Sequence, residues 1–121
     1  MVIHDHFSDF VLFLYVYIAY VDGEFHPKER EVIMEKMHKL YPDSNDHEKR
    51  LADTIRVYSD LEQNQFKGIF VDTFKHFNKV KYAQKYRVYL DMYEVVQADG
   101  KVHEMEQLAM DALKEIIDIS Y

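Results

Sequence analysis

The chain contains no cysteine, only 3 glycines and only 2 prolines. The missing thiols exclude disulfides, thiolate zinc ribbons and cysteine nucleophiles, and fit a cytoplasmic protein. So few backbone breakers argue against an all-β fold, which needs turn residues every few positions, and for long helices. Positive charge is also scarce, with 15 Lys and Arg against 22 Asp and Glu and a net charge of −7. A field of that sign repels phosphates, so nucleic acid is not an expected partner. No apolar run reaches the roughly 20 residues of a membrane span. The longest, FVLFLYVYIAYV from Phe10 to Val21, has 12 and is preceded by Asp5 and Asp9 rather than by the basic residues of a signal peptide.

What the chain has in quantity is apolar surface. Hydrophobic residues make up 48% and aromatics 15% of its 121 positions, enough for one domain with one core. The Phe10–Val21 run reads as a helix buried on nearly all sides, starting near Asp5 and ending before Gly23. A second helix begins near Pro27 with the stripe Ile33, Met37 and Leu40, and the polar loop 41–46 ends it. A weaker third runs over 47–60. A fourth over 63–77 carries Phe66, Ile69, Phe70, Phe74 and Phe77 at helical spacing. The fifth, 81–98, places Tyr82, Tyr86, Tyr89 and Tyr93 on one half-buried face. The sixth covers 104–120.

One feature occurs twice. Asp22, Gly23, Phe25, His26 and Glu29 are matched 77 positions later by Asp99, Gly100, Val102, His103 and Glu106. Each set follows an apolar helix and precedes an amphipathic one. Glycine ends the first helix, the apolar residue plugs the corner, and Glu three residues after His completes a capping box. Two residue types fit this carpentry badly. Histidine is a poor N-cap, and Asp is unfavourable at the negative end of a helix dipole. An EF-hand frame with glycine at its sixth position puts Asp fifth and Glu twelfth. The first and third positions are then Ile18 and Tyr20, or Val95 and Gln97, where carboxylates belong. One corner therefore cannot hold a cation alone. Two corners brought together could share one, with Asp22, Asp99, Glu29 and Glu106 as oxygen donors and His26 and His103 as nitrogen donors. Ca²⁺, Mg²⁺ and Zn²⁺ stay open, the imidazoles leaning toward a transition metal. Turn-making and capping is the plainer reading of the same residues.

The paired corner resembles the TerB-like (tellurite resistance protein B) family, in which an apolar helix ending in ADG or VDG is followed by an apolar residue, a cap position and Glu. The resemblance covers helix one to the start of helix two and helices five and six. It implies an all-α bundle of six or seven helices, an internal two-fold pseudo-repeat of hairpins and a single domain over 1–121. It further implies a non-enzymatic role in tellurite and stress resistance, often beside membrane proteins, with Asp22 and Asp99 at the positions proposed to chelate metal. His26 and His103 depart from the Ser or Thr usual at the cap.

Other features carry less. His4 and His6 flank Asp5 in what reads as a mobile N-terminus. His38, His47 and His76 read as isolated surface residues. Lys75, Lys79, Lys81, Lys85 and Arg87 form a basic stretch suited to an acidic partner protein or anionic lipid at a membrane surface, or simply to solvent. No Ser-His-Asp pattern, P-loop or HExxH occurs. The alternatives to an interaction module are a metal-dependent hydrolase using the corner carboxylates, and a structural homodimer formed through helices one and five.

Overall fold

The computed structural model describes residues 1–100 and 102–119. Among them are six α-helices and one 3-10 turn: α1 (Phe7–Tyr20), α2 (Pro27–Leu40), α3 (His47–Ser59), the turn Gln63–Gln65, α4 (Phe66–His76), α5 (Tyr82–Val96) and α6 (Glu104–Ile119). The all-α bundle expected from the helical periodicities is therefore the architecture. The predicted fourth helix splits because its first three residues tighten into the 3-10 turn, with Glu62 N–H donating to Gln65 Oε1 over 2.8 Å. The predicted end of the sixth helix at Ser120 lies outside the described residues.

Helix α1 is the axis of the bundle. It packs against α2, α3, α5 and α6, which is why its residues are apolar all round and why Phe10, Phe13, Leu14, Val16 and Ile18 lose all contact with solvent. Its aromatic side meets α4: Phe10 stands edge-on to Phe74 at 5.1 Å and Tyr17 to Phe70 at 4.8 Å between ring centres. Each such ring contributes about 1.5–3 kcal/mol by burial, with a further 0.5–1.5 kcal/mol from edge-to-face geometry. The α5 tyrosines form a half-buried ladder, successive ring centres 6.1, 5.6 and 5.3 Å apart, and the Tyr82 hydroxyl donates to Asp118.

Three sequence expectations change. Lys85 is fully buried and donates to the Phe74 carbonyl. It therefore leaves the proposed basic surface, since an α5 position facing α4 cannot also face a partner. His47 is buried too, edge-on to His38 at 4.6 Å and bonded to the Tyr41 carbonyl. The loop over 41–46 folds back on the first turn of α3 and covers it. His4 packs on Phe13 with ring centres 5.1 Å apart, so the N-terminal segment is tied to the core there.

Candidate metal centre

Each corner begins with a glycine in a left-handed backbone conformation that residues with a side chain rarely adopt. Gly23 has φ +91° and Gly100 φ +86°. Their N–H groups close the preceding helices onto the Tyr20 and Gln97 carbonyls at 2.8 and 2.9 Å. The chain then runs extended through His26 into α2. Glu29 Oε1 accepts the His26 backbone N–H at 3.0 Å, and Glu106 Oε1 accepts that of His103 at the same 3.0 Å. The expected capping contact from Glu is thus made in both corners, with matching geometry.

The caps occupy the glutamates and the histidine backbone, and leave the imidazoles for something else. His26 Nε2 lies 3.6 Å from Asp22 Oδ2 in its own corner and 3.9 Å from Asp99 Oδ2 in the other. His103 Nε2 mirrors it, 3.5 Å from Asp99 and 4.0 Å from Asp22. The two rings lie 6.3 Å apart, tilted by 24°. The corners, 77 residues apart in sequence, therefore meet, and each imidazole stands between both aspartates.

Asp22 divides its two oxygens between structure and chemistry. Oδ1 accepts the Glu24 backbone N–H at 3.1 Å, an Asx turn that holds the corner after the helix ends. Oδ2 faces the imidazoles. This accounts for an acid at an unfavourable dipole end: the turn hydrogen bond fixes it and the histidines attract it. Glu24, which sequence reasoning missed, adds an exposed carboxylate 3.7 Å from His26 Nε2. It has no acidic counterpart in the second corner, where Lys101 stands, so the repeat gave no signal for it.

Beneath this cluster lie Glu29 and Glu106, each only 1% exposed. Glu29 Oε2 is buried with no hydrogen-bond partner. Desolvation, with the neighbouring charges of Glu106 and Asp22, pushes the Glu29 carboxyl up to about 7, despite the His26 N–H bond that favours its anion. Desolvation raises Glu106 as well, with Asp22 adding to it. Around His26 desolvation works against protonation, but the charges of Glu29, Asp22, Asp99 and Glu24 together outweigh it and raise its pKa.

Of the six predicted ligands, Asp22, His26 and His103 offer atoms all within 4.8 Å of one another. Asp99 stands outside that group of three, with its Oδ2 3.9 and 3.5 Å from the two imidazoles. Glu29 and Glu106 sit below, with Oε1 committed to the caps, and act on the cluster through charge. Two imidazoles and the Asp22 carboxylate are a donor set suited to Zn²⁺ or a related transition metal, whose ligands stand about 2.0–2.2 Å from the ion. The 4.8 Å span needs a small inward movement of flexible side chains to meet that geometry. Of the basic residues predicted to bind partners, Lys75, Lys79, Lys81 and Arg87 are exposed, and Arg87 leans 3.5 Å from Asp91. Asp91 is also held by the nearly buried Lys36, which reaches from α2 to Asp91 and Glu94 at 3.3 and 2.8 Å.

Among the described residues no helix is long and apolar enough to cross a membrane. Neither a curated protein nor a solved structure matches the chain. A family model does, over residues 8–121, and that family is described as tellurite resistance protein TerB. A match across nearly the whole chain, on a helical bundle whose two Asp-Gly corners meet, makes this protein a member of the TerB family.

Proposed function

We propose that the protein is a non-enzymatic TerB domain whose paired corners bind one divalent transition-metal ion, and that it serves as an interaction module in the stress response linked to its family. The observation that carries the metal reading is that His26 and His103 each stand within 4.0 Å of both Asp22 and Asp99. Four acidic groups converge there, two of them buried, and a dication would relieve their mutual repulsion. Two nitrogen donors favour Zn²⁺ over Ca²⁺ or Mg²⁺. Binding rather than catalysis is favoured because Glu29 and Glu106, the residues best suited to move protons, are buried and anchored as caps. Exposed Lys75, Lys79, Lys81 and Arg87 are the candidate contact for an acidic partner at the cytoplasmic face of a membrane.

Isothermal titration with Zn²⁺, Mn²⁺, Ca²⁺ and Mg²⁺ tests the centre. Zn²⁺ should bind at one ion per chain, more tightly than Ca²⁺, and Asp22→Ala/Asp99→Ala should abolish the heat. Affinity should fall as the pH drops through the raised His26 pKa, since protons and metal compete for one nitrogen. Absence of Zn²⁺ binding by the wild-type chain above pH 7 would rule the shared centre out.

A further inference from the structure

The two corners open into helices of unlike character. Counting from the paired aspartates, Lys28, Glu31 and Glu35 of α2 correspond to Met105, Leu108 and Ala112 of α6. All six positions are exposed. In α2 they are charged and solvated. In α6, Met105 is 55% and Leu108 58% exposed. At helical spacing Met105, Leu108 and Ala112 form a stripe on one side of α6. That stripe runs into a groove of about 420 Å³ between α4 and α6, lined by Tyr17, Phe66, Phe70, Leu113 and Ile116. Capping and the metal centre call for none of this apolar surface, and the matched helix shows that the same place in a hairpin tolerates charge.

We propose that the α6 stripe and its groove seat a basic amphipathic helix of a partner protein. This rests on the interaction role above and adds to it a second surface, separate from the Lys75–Arg87 contact for acidic groups; it does not depend on the metal. Length and shape fit a helix: Met105 to Ile116 spans roughly 16 Å at about 1.5 Å per residue, three turns of a partner whose apolar residues recur every three or four positions. At about 420 Å³ the groove has the volume for one large anchor side chain beside its aromatic rings. Charge decides the partner's polar face. Glu104, Asp111 and Glu115 are exposed along the flank of the stripe, and none of them takes part in an ion pair among the described residues. Lys67 is the cation on the opposite, α4 side. A helix with lysines or arginines beside its apolar stripe answers the α6 flank, and the net charge of −7 draws it in. A second copy of this chain would bring the same net charge of −7, which disfavours it as the occupant.

A fluorescein-labelled Leu/Lys peptide with leucines at helical spacing, and its Leu/Glu counterpart, serve as probes in anisotropy titrations against the full chain. The Leu/Lys peptide should bind at least about tenfold more tightly than the Leu/Glu peptide. Met105→Ser/Leu108→Ser changes no charge, and should weaken it by about tenfold or more. Both side chains are more than half exposed, so the variant should keep its helical circular dichroism and its melting temperature. Equal binding by variant and wild type would reduce the association to bulk charge and overturn the proposal. So would equal binding of the two peptides. A doubled mass in light scattering that the double variant returns to the monomer would make a second copy the occupant, and would overturn it too. Zn²⁺ titration of the same variant should be unchanged, which separates failure of this surface from failure of the metal centre.

Discussion

Replacing Glu29 by Gln should stabilise the metal-free protein above neutral pH and do little near pH 4. Glu29 is buried, its Oε2 has no partner, and its pKa rises from 4.5 to about 7 on folding. A raised carboxyl pKa means that the folded state holds the proton more tightly than the unfolded chain. The associated stability is whole below the unfolded value of 4.5 and is lost as pH rises to about 7. At about 1.4 kcal/mol per pH unit, full ionisation costs the fold about 3.5 kcal/mol. Gln keeps an Oε1 to accept the His26 N–H but cannot ionise, so Glu29→Gln should melt about 10 °C above wild type near pH 8 and about level with it near pH 4. The assay is thermal unfolding followed by circular dichroism, in chelator, across that range. Groups distant from the corner give both proteins a common slope, and the difference between them reports Glu29 together with Glu106, whose own raised pKa depends on it. A difference that stays constant with pH would show that Glu29 titrates alike in the folded and unfolded chain, and would refute the argument.

Three further outcomes follow from the same geometry. His26, whose pKa is also raised, adds to the loss of metal-free stability as pH rises through its folded value; Zn²⁺ near pH 8 should therefore raise the wild-type melting temperature and leave that of Asp22→Ala/Asp99→Ala unmoved. Gly23→Ala should destabilise by about 1–2 kcal/mol in urea unfolding. Nothing lies within 4 Å of the added methyl, so the cost comes from the backbone at φ +91° and not from a clash. Phe10→Ala, which empties a position with no exposure at the α1–α4 contact, should cost about 3–5 kcal/mol in the same measurement.

The helices were legible because their signals are local. An uninterrupted apolar run marked α1 as the central helix, the aromatic spacing marked α4, and Gly23 and Gly100 marked the ends of α1 and α5, three and four residues beyond their last helical residues. The corner residues were legible for another reason: they occur twice, and two of their types suit a plain turn badly. Burial was less legible, because it depends on neighbours distant in sequence. Lys85 and Lys81 look alike in the basic stretch, yet Lys85 points at the Phe74 carbonyl and Lys81 at solvent. His47 resembles any polar loop residue until the chain before it folds over the ring.

The sequence by itself determined the all-helical class, the two capped corners and the absence of thiol chemistry, since each depends on residue types and short-range spacing. Tertiary structure alone decided that the corners meet. No local rule states that His26 will lie 3.9 Å from Asp99, because that distance is set by how α1, α5 and the helices that follow them pack. It also decided how the acids divide their work. Glu29 and Glu106 went beneath the cluster as caps, because a glutamate three residues after the cap position reaches back to the helix start. Asp22 and Asp99, at the exposed end of the preceding helix, faced the imidazoles.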